Sequence, residues 1–346
     1  MPPPRDVVAD LRRIAFLLER AHEPTFRVRA FRSAAARAES LTPAELSERA
    51  AAGTLRELPG IGDVTARCIT ESLRGEEPVY LRRLDATAGT PVAEAGAELR
   101  AALRGDCHAH SDWSDGGSPI REMAETARDL GHEYLVLTDH SPRLTVARGL
   151  SAERLEQQLD VVASLNDELA PFRILTGIEV DILDDGRLDQ TDALLSRLDL
   201  VVASVHSGLR MPSAEMTPRM VAAIANPHTD ILGHCTGRLI TGGRGKRPPS
   251  EFDAEIVFAA CARFGVAVEV NSRPERLDPP KRLLRLAVEA ECLVSIDTDA
   301  HAPGQLDWQP YGCERAAACG VPAETVVNTW AADDLLAWAA DHEVRL

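Results

Sequence analysis

The stretch GDCHAHSDWSDG (residues 105–116) decides how this 346-residue chain is read. It opens as a short strand-like run, Gly105 to His108, and closes in HAHSDWSDG (108–116). Side chains alternate across a strand, so His108 and His110 leave the same face, spaced to chelate one ion. Six further apolar, β-branched runs follow: Tyr134 to Thr138, Phe172 to Val180, Leu198 to Val205, Asp230 to Gly233, Val266 to Val270 and Cys292 to Ile296. Helical patterns lie between them, over Pro119 to Leu130, Ala152 to Ala170, Asp189 to Ser196, Met216 to Ala225, Phe252 to Phe264 and Lys281 to Ala290. Such alternation predicts an α/β fold with parallel strands. The polar residues fall where the runs end: TDH (138–140), GIEVD (177–181), SVHS (204–207), GHCTGR (233–238) and DTDAH (297–301). In a closed parallel barrel the strand C-termini converge on one face, where catalytic groups are placed. One histidine at a strand end is more often a hydrogen-bonded or solvated ring than a ligand. The joint arrangement, with Asp299 and His301 repeating the one-residue spacing, points to a multinuclear metal centre. His, Asp and Glu without cysteine spacing suit Zn²⁺, Mn²⁺ or Fe²⁺ rather than a structural thiolate site.

Length allows two or three domains, and 45% hydrophobic residues exclude a disordered chain. No apolar run approaches the roughly 18 residues of a membrane span, and IAFLL (14–18) is too short for a signal peptide. Seven cysteines without a CxxC pair read as buried reduced thiols and place the protein in the cytoplasm. The net charge of −16 argues against a nucleic-acid partner. It is unevenly spread, however: residues 1–105 carry 16 Arg against 15 acids, so an Arg-rich, near-neutral head precedes an acidic body.

In that head, Val7 to Ala21 has the period of an amphipathic helix, and more helix follows, broken at Pro24 and Pro43. GTLRELPGIGDVTARCITESLRG (53–75) sets a Pro-Gly-Ile-Gly turn between two helical patterns. Leu84 to Gly105 reads as linker, with helical character over Val92 to Leu103, and GGRGKRPPS (242–250) as a Gly/Pro-rich loop. The expected domains are an all-α unit over 1–83, a linker over 84–104 and a barrel over 105–346.

The motifs from 106 to about 320 resemble those of the PHP (polymerase and histidinol phosphatase) superfamily. The resemblance implies a distorted seven-stranded β/α barrel holding two or three divalent ions (Zn, Mn or Fe). His108, His110, Glu179 and Asp299 would bind one ion. Glu179 would bridge to a second, held by His206 and His234, and Asp115, His140 and His301 would hold the third. Glu179, His206 and Asp299 would then be catalytic, and a metal-bound hydroxide would attack a phosphoester. Arg238, Asn271 and Arg273 are candidate substrate-binding residues, because Arg forks match phosphate oxygens. Arg276 and Arg148 are further cations near the mouth. Asp139 and Asp297 neighbour ligands and are expected to orient imidazoles. Cys107 and Cys235 read as small buried residues beside the metal shell.

LPGIGDVTA (58–66) looks like a helix-hairpin-helix turn, in which Gly60, Ile61 and Gly62 present backbone N–H groups to a DNA phosphate. With residues 7–35 it resembles the N-terminal domain of bacterial family X DNA polymerases. Only about thirty residues separate Gly75 from Gly105, which excludes a polymerase core, and the absence of lysine from residues 1–105 leaves no side-chain amine for lyase chemistry. The combination implies a metal-dependent phosphoesterase acting on DNA 3′ ends, as exonuclease, phosphatase or both, with a role in DNA repair. The alternatives are a small-molecule phosphatase resembling histidinol-phosphate phosphatase, acting on a small phosphomonoester, and a non-catalytic DNA-binding adaptor. No membrane and no nucleotide cofactor is implied.

Overall fold

The computed structural model of the protein describes residues 3–88, 93, 95–242 and 245–341. Two compact units make up the chain, Met1–Pro91 and Val92–Leu346.

The first unit is all helical: α1 (Val7–Arg20), α2 (Thr25–Glu39), α3 (Pro43–Ala52), α4 (Asp63–Leu73) and α5 (Val79–Ala88). The 3.6-residue period of α1 buries Val7, Leu11, Ile14 and Leu18, which pack with Phe31, Leu46 and Ile69 into one core. Asp6 caps α1 by accepting from the Ala9 N–H at 2.9 Å. As the sequence suggested, helix breaks at Pro24, the N-cap of α2, and again before Pro43. Pro43 is the first residue of α3, where a missing N–H costs nothing, and Thr42 and Glu45 close a capping box around it. The expected linker from Leu84 is helical at its start, because α5 runs to Ala88.

The second unit begins with a short helix, α6 (Ala97–Ala102); the expected start of that helix at Val92 lies outside the described residues. The barrel strands are β1 (Gly105–Ala109), β2 (Tyr134–Leu137), β3 (Arg173–Asp181), β4 (Leu200–Ser204), β5 (Ile231–Leu232), β6 (Ala267–Asn271) and β7 (Val294–Asp297). All six neighbouring pairs are parallel and follow chain order. The Ala109–Ala300 bridge joins the segment after β7 to β1, so the barrel is nearly closed. Between the strands lie α7 (Ile120–Asp129), α8 (Ala152–Leu169), α9 (Asp192–Leu195), α10 (Ser213–Ile224), α11 (Ala254–Phe264) and α12 (Lys281–Glu289). Period-two alternation sorts each strand. Ile178, Val180 and Val268 face the helix layer with Met216, Met220 and Phe258, whereas Glu179, Asp181 and Glu269 alternate with them and turn inward.

Two helices beyond β7 were not expected: α13 (Gln309–Cys319) and α14 (Ala332–Ala340). They bring Asn328 beneath the barrel, where its side chain accepts from the Ile296 N–H at 2.6 Å and donates to Asp297 at 2.8 Å. All seven cysteines are buried and unpaired. Among the described residues, no helix is long and apolar enough to cross a membrane.

Candidate metal centre

The C-terminal ends of the parallel strands converge, so the residues at and just past the ends of β1, β2, β4, β5 and β7 share one mouth with Glu179 of β3. Six of the ten histidines gather there. Glu179 is fully buried, and both its oxygens face imidazole nitrogens. Oε2 lies 3.3 Å from His108 Nε2, 3.6 Å from His110 Nε2 and 2.9 Å from His140 Nδ1. Oε1 lies 3.2 Å from His206 Nε2 and 3.0 Å from His234 Nε2. Asp299 Oδ1 is 3.4 Å from His110 Nε2, and Asp115 Oδ1 is 3.3 Å from His301 Nε2. Three groups have ligand atoms within 4.8 Å of one another: His108, His110 and Asp299; His140, Glu179 and His206; His110, Asp115, His140 and His301. His110 and His140 each fall in two groups, so the donors form one continuous cluster rather than three separate triads.

The donor set fits divalent cations. His108 Nε2, both His110 nitrogens, both Glu179 oxygens and His234 Nε2 are buried without a hydrogen-bond partner, an arrangement that native interiors avoid unless an ion is meant to be held. Their electrostatics agree for Glu179, Asp299, His110 and His234. Against burial, by contrast, Glu179 and Glu269 hold the His108 imidazole well above its ordinary range, and Glu179 and Asp181 push that of His206 up to about 9. Burial alone would raise Glu179, but His206, His108 and His140 reverse this and hold its carboxyl well below the usual range. Asp299 is also held well below, burial being outweighed by His110, Arg276 and Arg273. Burial, with His301 and His140, keeps the His110 imidazole neutral, and burial with Arg276 does the same for His234. Ionised carboxylates and neutral imidazoles are the forms that bind metal.

A cleft of about 210 Å³ opens over this cluster. Arg247, Arg273 and Arg276 line it together with Leu144, Val146, Ala147 and Leu209. Arg273 reaches the Asp299 carbonyl at 3.2 Å, and Arg276 Nε lies 3.1 Å from Asp299 Oδ2. Two expected substrate contacts are corrected here. Arg238 does not line the cleft; its guanidinium donates to the carbonyls of Arg276 and Leu277 and braces their loop. Asn271 is fully buried beneath the site, its amide between Glu269 and Asp299. Arg276 lines the cleft where Arg238 does not. Arg148 is exposed and outside the lining.

The expected imidazole acceptors are also corrected. Asp139 accepts from Ser111, Ser114 and Gln158, and Asp297 from the Cys107 N–H and Asn328, so neither touches an imidazole. Glu269 and Asp181 do so instead, at 2.7 Å from His108 Nδ1 and 2.5 Å from His206 Nδ1. One sequence signal pointed to Glu269: a carboxylate between Val268 and Val270 in an otherwise apolar strand. Burial pushes the Cys107 and Cys235 thiols well above their ordinary range, which leaves them inert.

In the first unit, Gly60 takes φ +86°, the left-handed region that favours glycine, at the tip of the turn. Gly62 caps α4, and the space where its Cβ would stand is open to 4 Å. The Ile61 side chain is buried in the helical core, so only its backbone is available for contact.

Residues 2–78 match the helix-hairpin-helix domain model and residues 106–272 the PHP domain model. The chain therefore carries a PHP domain. Over 236 residues it is 41% identical to the DNA polymerase/3'-5' exonuclease PolX of Bacillus subtilis (strain 168), a match that covers 68% of this chain. The chain spans only 41% of the length of that relative. A protein described as "Probable phosphatase" from Thermoanaerobacter sp. (strain X514) is 27% identical over 65% of this chain and 89% of its own length. The crystal structure of histidinol phosphate phosphatase from Lactococcus lactis, complexed with zinc, L-histidinol and phosphate, matches 63% of this chain and 92% of its own, at 17% identity and a TM-score of 0.44. A helix-hairpin-helix domain thus precedes a PHP domain, the domain of a metal-dependent phosphoesterase family.

Proposed function

We propose that the protein is a metal-dependent phosphoesterase that processes DNA 3′ ends, as 3′–5′ exonuclease, 3′-phosphatase or both, with its helix-hairpin-helix unit engaging the DNA. The observation that carries the reading is the nine-residue donor cluster His108, His110, Asp115, His140, Glu179, His206, His234, Asp299 and His301, in the same chain as a hairpin motif. When bound, two or three divalent ions supply Lewis acidity toward phosphoryl oxygens and acidify water at neutral pH. The remaining work falls to the protein. Glu179 and Asp299 hold negative charge at the centre, and the imidazoles of His206 and His234 face Glu179 across about 3 Å. Arg273 and Arg276, now on Asp299, present guanidinium N–H groups to the cleft and orient the substrate phosphate. Leu144, Val146 and Leu209 give the leaving group an apolar wall.

Arg276→Ala is expected to lower kcat/KM about 10- to 100-fold, the weight of one charged hydrogen bond of roughly 1.5–3 kcal/mol. Arg238→Ala acts elsewhere. It removes two bonds to carbonyls and is expected to lower Tm by a few degrees, at about 1–2 kcal/mol, with a smaller change in KM. Steady-state kinetics beside thermal melts of both variants separate the two roles.

DNA engagement is tested at Gly62, whose extended φ of −102° and open surroundings accept a side chain without strain. A valine there keeps a phosphate from the α4 N-terminus, an interaction of about 1–2 kcal/mol. Gly62→Val is therefore expected to weaken turnover of DNA ends roughly 5- to 30-fold and to leave p-nitrophenyl phosphate turnover unchanged. Equal turnover of DNA ends by both proteins would contradict the reading. A second reading, a small-molecule phosphatase, is favoured by the match over 89% of the Thermoanaerobacter relative and by the acidic body, which repels a polyanion.

A further inference from the structure

Glu269 is a charged residue where the fold can least tolerate one. It sits on β6 inside the barrel, is fully buried, and has a valine on either side. A lone buried carboxylate is costly unless its oxygens are matched by donors. Here each oxygen is matched, and each donor belongs to the metal centre or touches it. Oε1 accepts from His108 Nδ1 at 2.7 Å. Oε2 accepts from the backbone N–H of His234. The Asn271 amide lies 3.4 Å from both oxygens and 3.3 Å from Asp299 Oδ2. One carboxylate therefore ties together His108 on β1 and His234 after β5 and, through the Asn271 amide, the Asp299 carboxylate after β7.

The bond to Nδ1 also decides the chemistry of His108. With the ring proton held on Nδ1, the lone pair stays on Nε2, which is buried, has no hydrogen-bond partner, and points toward Glu179 Oε2 at 3.3 Å. A carboxylate on the far nitrogen raises the basicity of the ligating one and locks the ring's orientation. His206 has a partner of its own in Asp181, at 2.5 Å. The cluster thus has two independent orienting carboxylates, each serving a different ligand group: His108 with His110 and Asp299, and His206 with Glu179 and His140.

We propose that Glu269 is a positioning residue that fixes the His108 tautomer and sets the affinity of the ion shared by His108, His110 and Asp299, while Asp181 does the same for the ion at His206. The inference rests on the metal-binding part of the proposed function. It is tested on the full chain, stripped of metal and titrated with Zn²⁺ against a competing chelator, with stoichiometry by atomic emission. Glu269→Gln keeps one acceptor and loses the other, and is expected to weaken one binding step 10- to 100-fold. Asp181→Asn is expected to weaken a different step by a similar factor. The imidazole ¹⁵N spectrum of the metal-free wild type should show His108 protonated on Nδ1, and Glu269→Gln should turn it into a tautomer mixture, a change that a merely structural role would not produce. Should Glu269→Gln fail to fold, Asn271→Ala, which keeps the carboxylate but cuts its link to Asp299, is expected to weaken the same step by a smaller factor. Unchanged affinity in Glu269→Gln, or loss of the same step in both carboxylate variants, overturns the inference and leaves the metal reading standing. A wild type that binds no Zn²⁺ overturns both.

Discussion

Glu179→Gln should cut phosphoester hydrolysis about 100- to 10,000-fold with little loss of folded protein. The size follows from what the residue joins. Metal-ion stabilisation of transition-state charge is worth several kcal/mol, and each 1.36 kcal/mol is tenfold in rate. Glu179 faces five imidazoles with two oxygens, and no other described carboxylate in the cluster touches as many. Glutamine preserves the shape but removes the charge with which Glu179 would help hold divalent ions. The fold survives because Ile178 and Val180, on the opposite face of β3, hold the strand against the helix layer. Turnover of a generic phosphomonoester beside a thermal melt checks both halves. Activity within a few-fold of wild type would remove Glu179 from the centre of the chemistry.

Chelation should act on stability as well as on activity. Without ions, His108 Nε2, His234 Nε2 and the Glu179 oxygens remain buried and unpartnered, a cost that the folded state alone bears. An ion that binds only the folded state adds about 2.7 kcal/mol at a concentration a hundred times its Kd. For a barrel of this size that corresponds to a Tm rise of roughly 5–10 °C. Stripping with EDTA is thus expected to abolish hydrolysis and lower Tm by that amount, and Mn²⁺ or Zn²⁺ to restore both. An unchanged melt after confirmed metal removal would mean that the cluster is a hydrogen-bonded core rather than an ion site.

The barrel was legible because each strand is a short apolar run whose period-two alternation survives burial, and because the ligands stand at strand ends, where a parallel fold must bring them together. What lay inside the strands was harder to read. Glu269 is two residues short of the end of β6, outside the strand-end pattern that marks the other polar residues of the mouth. Side-chain direction was beyond reach too: Arg238 stands four residues after His234 and Arg276 twenty-three before Asp299, yet the nearer one braces a loop and the farther one lines the cleft. Pro43 reads as a break in a linear pattern and acts as a helix start only because Thr42 and Glu45 cap it. Asn328 follows the last candidate ligand, His301, by 27 residues and carries no motif, so its contact with Asp297 beneath the barrel left no local trace.

The most direct test of the central claim is a gel assay of the purified protein with Mn²⁺ on 5′-labelled primer duplexes ending in 3′-hydroxyl or 3′-phosphate, with Glu179→Gln as the control for contamination. The account predicts stepwise shortening, a mobility shift confined to the 3′-phosphate substrate, or both, each absent from Glu179→Gln. Unchanged bands beside robust hydrolysis of a generic phosphomonoester would contradict DNA-end processing and direct the search for substrate to small phosphomonoesters.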